Sequence, residues 1–158
     1  RGGGPITWAG VRTGLLCRAR LDWVMHSGLA LDLKSCRGAE LRAFGRQAWH
    51  LGYFHQAVFY MKGLAAVTGS KLAEIPFRFV AVESDEPHDV SFFEPCAETR
   101  DAAEIEVNAL LDRLAERIRT DIWPGRHDGT QQLSAPAYVL MSDDEEWSVT
   151  TGETHAAL

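Results

Sequence analysis

Three cysteines are all this chain has, and they show no order. Cys17, Cys36 and Cys96 are odd in number and fall into no C-x-x-C or Cys/His ligand spacing, so a disulfide framework and a zinc site are excluded and three free thiols are expected. No apolar run approaches the roughly 20 residues of a membrane span, and no basic-plus-apolar leader precedes a cleavage site. A cytoplasmic domain with no membrane partner is therefore expected. Glycine-rich phosphate loops are missing too, since Gly2-Gly3-Gly4 lacks the G-x-x-x-x-G-K pattern, and no Gly-x-Ser-x-Gly elbow marks a serine hydrolase. There is no internal repeat. The histidines are scattered in turns and tail, and His50 and His55 are five apart, a poor fit to one helix face, so they are expected to be structural.

What remains is the composition of a soluble globular domain: 158 residues, 46% hydrophobic and 24% charged, enough to bury a sizeable core. One domain over residues 1–140 is expected. An acidic tail over 141–158, with Asp143, Asp144, Glu145 and Glu146 and no Lys or Arg, is expected to be disordered. The chain opens Arg1-Gly2-Gly3-Gly4-Pro5 without a methionine, which reads as part of a longer protein. Net charge is −6 but unevenly spread. Residues 1–46 hold eight Lys/Arg against three acids, and residues 47–158 hold eight against nineteen. A basic third of this kind suits a phosphate backbone, whereas the acidic remainder does not.

The basic third contains a hairpin pattern. With His26-Ser27-Gly28 as a three-residue turn, Met25 pairs with Leu29, and Asp22 falls opposite Asp32. Opposed carboxylates on a sheet repel unless a cation lies between them, so the pair points to a divalent metal site. Alternation puts Cys17, Ala19, Leu21, Trp23, Met25, Leu29, Leu31 and Leu33 on an apolar face expected to be core. Arg18, Arg20, Asp22, Asp32 and Lys34 are expected on the opposite, charged face. An ordinary solvated outer face fits the acid pair alone about equally well.

Downstream, residues 38–63 read as one long helix with an apolar stripe through Phe44, Ala48, Leu51, Val58 and Met61. A second stripe runs through Trp49, Gly52, Tyr53, Gln56 and Tyr60. Gln56 and Tyr60, one turn apart, need polar partners and mark the border of a cleft. Phe77–Glu83 and Val90–Glu94 read as a second hairpin around Ser84-Asp85-Glu86-Pro87. A last amphipathic helix is expected between Thr99 and Asp121, with Thr99 as N-cap and Ala103, Val107, Leu110, Leu111, Leu114 and Ile118 on one face. Beyond it, only Tyr138-Val139-Leu140 suggests further order.

The ordered set Asp22, Asp32-x-Lys34 and Gln56-x-x-x-Tyr60 resembles the RecB-like branch of the PD-(D/E)xK nuclease superfamily. Four stretches are similar to the nuclease domain of RecE-type exonucleases (exodeoxyribonuclease VIII): Leu15 to Asp22, Asp32-Leu33-Lys34-Ser35, Gly52 to Tyr60, and Val80-Ala81-Val82-Glu83. The likeness spans roughly residues 7–125. Three lysines and 22 acids give about 0.4 acid-x-Lys matches by chance, so the ordered set carries more weight than any single motif.

The resemblance implies an α/β fold, a PD-(D/E)xK core with a mixed central sheet flanked by helices and its leading helix apparently absent. It also implies catalytic roles for Asp22, Asp32, Lys34, Gln56 and Tyr60. Asp22, Asp32 and the Leu33 carbonyl would hold Mg²⁺ or Mn²⁺, and Lys34 would assist attack or neutralise charge on the phosphate. Gln56 and Tyr60, together with Arg18 and Arg20, would contact DNA. The implied activity is a 5′–3′ exonuclease on linear duplex DNA in phage-type recombination, working with a single-strand annealing protein and assembling as a homo-oligomeric ring. Leu21 stands where a proline often precedes the first aspartate, a position that supplies no ligand. Absence of the leading helix, which commonly adds a histidine or glutamate, keeps a non-catalytic DNA-binding or assembly domain as the alternative. A Cas4-like iron-sulfur nuclease needs four clustered cysteines, which three dispersed ones do not provide.

Overall fold

The structure is a computed structural model that describes residues 3–125 and 129–136. Residues 1–122 form one compact unit, and the described residues beyond it hold no helix or strand. Both the acidic tail and the Tyr138–Leu140 run lie outside the described residues. The elements are β1 (Pro5–Ala9), β2 (Leu16–Arg20), β3 (Trp23–Val24), β4 (Ala30–Cys36), α1 (Leu41–His50), α2 (Tyr53–Thr68), a 3₁₀ turn (Leu72–Glu74), β5 (Phe77–Glu83), β6 (Val90–Phe93) and α3 (Ala97–Thr120). β1 and β2 form an antiparallel ribbon, and the other strands form a four-stranded mixed sheet in the order β3-β4-β5-β6.

The two central strands, β4 and β5, run parallel, with Asp32 beside Phe79 and Lys34 beside Ala81. Parallel neighbours need a crossover, and α1 and α2 supply it. Each outer strand joins by an antiparallel hairpin, β3 to β4 and β5 to β6, so the mixed α/β architecture agrees with expectation. Met25 N–H donates to the Leu29 carbonyl at 2.9 Å, as the three-residue turn requires.

The expected single hairpin is divided between two sheets. β2 pairs with β1, whereas β3 pairs with β4, and the chain changes sheets at Leu21-Asp22. Asp22 is the joint: its carbonyl accepts from Gly3 N–H at 3.1 Å while its carboxylate reaches toward β4. Crossing this joint reverses which parity faces inward. Cys17, Ala19 and Leu21 are buried as expected, but Trp23, Met25 and Leu33 are exposed, and Ala30, Asp32 and Cys36 take the inner face of β4. The face expected to be charged surface is therefore the one covered by the helices.

The single helix expected over 38–63 is two. α1 ends at His50, and Gly52 takes a left-handed φ of 68°, which L side chains avoid, so the chain turns and restarts as α2. Leu51, placed in the apolar stripe, is exposed at this break, and so is Trp49. α2 is apolar nearly all round because it is covered on most sides up to its exposed last turn. The sheet and α1 contact it through Ala57, Met61 and Leu64, α3 through Val58, and the β1–β2 ribbon through Phe59 and Tyr60. Phe79 anchors the sheet side, with Phe77, Phe54 and Phe44 rings around it at 5.2, 6.1 and 5.8 Å.

The N-cap of α3 lies three residues before the expected one. Cys96 is its N-cap, and Thr99 lies inside the first turn with its hydroxyl against the Cys96 thiol at 3.1 Å. Only Ala103 and Val107 of its apolar face are buried; Leu110, Leu114 and Ile118 are exposed.

The ribbon approaches α2 most closely at Gly63, where an added Cβ would come within 2.7 Å of both Ile6 Cδ1 and the Trp8 ring. Gly63→Ala gains up to about 1 kcal/mol of helix propensity. Overpacking against a rigid, buried indole costs about 1–3 kcal/mol, so a net loss of stability is expected in urea titration. Stability at or above wild type would contradict this contact.

Candidate active site

The inner face of β4 carries the site. Asp32 is 3% exposed, the one buried charged residue among those described. Its Oδ2 lies 2.6 Å from Lys34 Nζ in a close ion pair, yet no aligned hydrogen bond reaches this oxygen. Lys34 instead directs a donor to Gln56 Oε1 at 2.7 Å, and Gln56 Nε2 donates to the Tyr60 hydroxyl at 2.9 Å. The spacing that puts Gln56 and Tyr60 one turn apart thus builds a polar line Asp32, Lys34, Gln56, Tyr60 from strand to helix.

Asp22 completes the acid pair from the other side. The last β3–β4 pair is Trp23 with Leu31, so one further step sets Asp22 beside Asp32. Its Oδ2 accepts from Leu33 N–H at 2.9 Å. A strand residue points its N–H and C=O to the same side, so the Leu33 carbonyl also faces Asp22, at an edge that β3 no longer covers. The Leu33 side chain points to the opposite face of the sheet and is exposed.

Electrostatics agree with this arrangement. Burial pushes the Asp32 carboxyl above the ordinary carboxylate range, the hydrogen-bonding contact and charge of Lys34 pull it back, and the Asp22 carboxylate adds to the upward push. A buried carboxylate, a second carboxylate opposite and the Leu33 carbonyl form an all-oxygen set suited to a hard divalent ion. No three His, Cys, Asp or Glu side chains converge on one point among the described residues. One or two carboxylates with the remaining positions left to water and phosphate is the usual Mg²⁺ arrangement, so the residues present fit that ion.

Two contributors escaped the sequence reading. The Tyr53 ring lies 4.6 Å from Lys34 Nζ, a cation–π contact that holds the lysine. Gln47 donates from Nε2 to the Ser35 carbonyl at 2.9 Å, pinning α1 beside the strand end. The signal for Tyr53 was its i, i+3 relation to Gln56; Gln47 had none, because the helix break that orients α1 was not apparent. Glu83 accepts from Ala39 N–H at 2.7 Å and so fixes the loop from β4 into α1.

Arg18 and Arg20 stand apart from this constellation. They lie on the exposed face of the β1–β2 ribbon, paired in register with Thr7 and Pro5, and form no hydrogen bond or ion pair with Asp22, Asp32 or Lys34. The change of sheet at Leu21-Asp22 separates the faces that uninterrupted alternation had joined. A cavity of about 550 Å³ lies beyond α2, between the ribbon and α3, lined by Trp8, Cys17, Phe59 and Leu111. None of the site residues borders it.

No curated protein matches the chain in sequence. Among solved structures, a protein from Eubacterium rectale provisionally named an exonuclease superposes with a TM-score of 0.64 at 17% identity. The match covers 90% of this chain and 57% of that one, so the chain spans little more than half the neighbour's length. At this identity the likeness establishes the fold. The sequence profile of a PDDEXK-like domain of unknown function, DUF3799, matches residues 5–135, a span that takes in both sheets, all three helices and every site residue named above. The chain belongs to this PDDEXK-like family.

Proposed function

We propose that the chain is a metal-dependent deoxyribonuclease that hydrolyses phosphodiester bonds. The observation that carries the reading is Asp32: a buried carboxylate with Asp22 opposite and its one close cation, Lys34, beside it. A buried charge of this kind costs stability, and a reaction that uses it is the physical reason to keep it. An Mg²⁺ or Mn²⁺ ion held by Asp22, Asp32 and the Leu33 carbonyl would supply Lewis-acid activation of a water and of the scissile phosphate.

The chain's own groups act around that ion. Lys34, fixed by Gln56 and the Tyr53 ring, presents an ammonium group where negative charge grows on the phosphate. Gln56 is held in turn by Tyr60, whose hydroxyl accepts from it and keeps its own proton to donate toward substrate. Arg18 and Arg20, exposed and without an acid partner among the described residues, are suited to phosphate contacts. The finer reading is a 5′–3′ exonuclease on linear duplex DNA in recombination, with an annealing protein as partner and a ring as the assembly. It rests on the RecE-type sequence resemblance. A non-catalytic DNA-binding domain is favoured by one feature, the Lys34 ammonium, which lies against Asp32 Oδ2 and competes there with a cation.

Asp32→Asn and Lys34→Ala are each expected to lower Mg²⁺-dependent release of nucleotides from linear DNA by about 10²-fold or more. Activity retained in either variant would sink the hydrolytic reading. Mn²⁺ is expected to raise the melting temperature of the wild type but not of Asp32→Asn. At a hundredfold excess over Kd the stabilisation would be about 2.7 kcal/mol. Calorimetry showing no binding at millimolar Mn²⁺ would select the non-catalytic reading.

A further inference from the structure

The outward face of α1 carries three side chains that the site does not use. Arg42, Arg46 and Trp49 follow i, i+4, i+7 spacing, so they form one stripe on the side opposite the buried Phe44 and Ala48. Both arginines are exposed, and neither meets an acid among the described residues. Some cations elsewhere are paired with acids, Arg12 with Asp112, Lys62 with Glu104, Arg78 with Glu94 and Arg119 with Glu116, whereas Arg18 and Arg20 on the ribbon, like the two on α1, are not.

Trp49 is 56% exposed, and its ring is backed by the His55 ring at 6.4 Å. His55 is itself fixed by Glu106 of α3 at 2.5 Å. An indole held in place with a face to solvent, in line with two guanidinium groups, matches the chemistry of a nucleotide chain: phosphates for the arginines and an unstacked base for the ring. A closed duplex keeps its bases stacked inside and has no such face to offer along its length. The helix that carries the stripe abuts the strand that carries the site, because Gln47, on a neighbouring face of α1, is bonded to the Ser35 carbonyl one residue beyond Lys34.

We propose that Arg42, Arg46 and Trp49 form a binding strip for a single-stranded segment of nucleic acid adjoining the cut site. This rests on the nuclease reading and adds a substrate form to it: the strand is unpaired where it passes α1.

The test is the salt dependence of binding, measured by anisotropy in EDTA so that nothing is cut, with a labelled oligo-dT and a blunt duplex as probes. Arg42→Ala/Arg46→Ala is expected to lower the slope of log K against log salt for oligo-dT by about 1.4, two phosphate contacts at about 0.7 each. Arg42→Lys/Arg46→Lys should restore the slope. Trp49→Ala is expected to weaken oligo-dT binding about tenfold while changing duplex binding less than twofold. An unchanged slope in the double variant, or equal losses on both probes in Trp49→Ala, overturns the strip. The Mn²⁺-induced thermal shift, expected to be unchanged in all variants, reports an intact fold and metal site. A wild type that binds neither probe overturns the nuclease reading itself; a wild type that binds with variants that behave like it overturns the strip alone.

Discussion

A carboxylate and an ammonium group, Asp32 and Lys34, face inward under a helix, and much of the rest of the structure follows from accommodating them. Charged groups out of water need partners, and the covering helix must provide them in a surface that is otherwise apolar. α2 does so with Tyr53, Gln56 and Tyr60, at i, i+3 and i+7 along the helix, while Ala57 and Met61 seal the apolar part of the interface. Four alanines of the same core, Ala30, Ala48, Ala57 and Ala81, are each fully buried, which lets strand and helices approach closely.

Such a site needs a rigid support, and α2 is held on most sides. The sheet, α1, α3 and the ribbon each bury a different part of it, so its polar residues have one orientation. Gly52 contributes by ending α1 early. A continuous helix would carry Gln47 away from the Ser35 carbonyl, whereas the turn folds α1 back along the strand end. The cost of burying the charge is thus spread through the packing of the whole unit.

Much of this was legible in the residues. The β5–β6 hairpin, α3, the Met25–Leu29 turn and the one-turn pairing of Gln56 with Tyr60 follow from alternation, helical period and hydrogen-bonding need, whereas the family resemblance is what joined Lys34 to them. The inward orientation of Asp32 was not legible, because the alternation from Cys17 to Leu33 is unbroken in sequence. Apolar residues hold every odd position from Cys17 through Met25 and again from Leu29 to Leu33, so nothing marks the change of sheet at Asp22. A pattern of period two records that faces alternate, and only tertiary packing decides which face the helices cover. The parallel pairing of β4 with β5 was equally hidden, since it depends on where the crossover lands. Burial of a charged face in place of an apolar one is where local rules give way to tertiary packing.

The shortness of β3 has a meaning of its own. Two residues long, it stops pairing with β4 one step before the acid pair, and the peptide group of Leu33 is left outside the ladder. Its N–H finds a carboxylate rather than a carbonyl. Secondary structure here is left unfinished, and the backbone released from pairing is open to the proposed metal site. One more residue of regular pairing would make a better sheet and take up the Leu33 carbonyl that the proposed metal site uses.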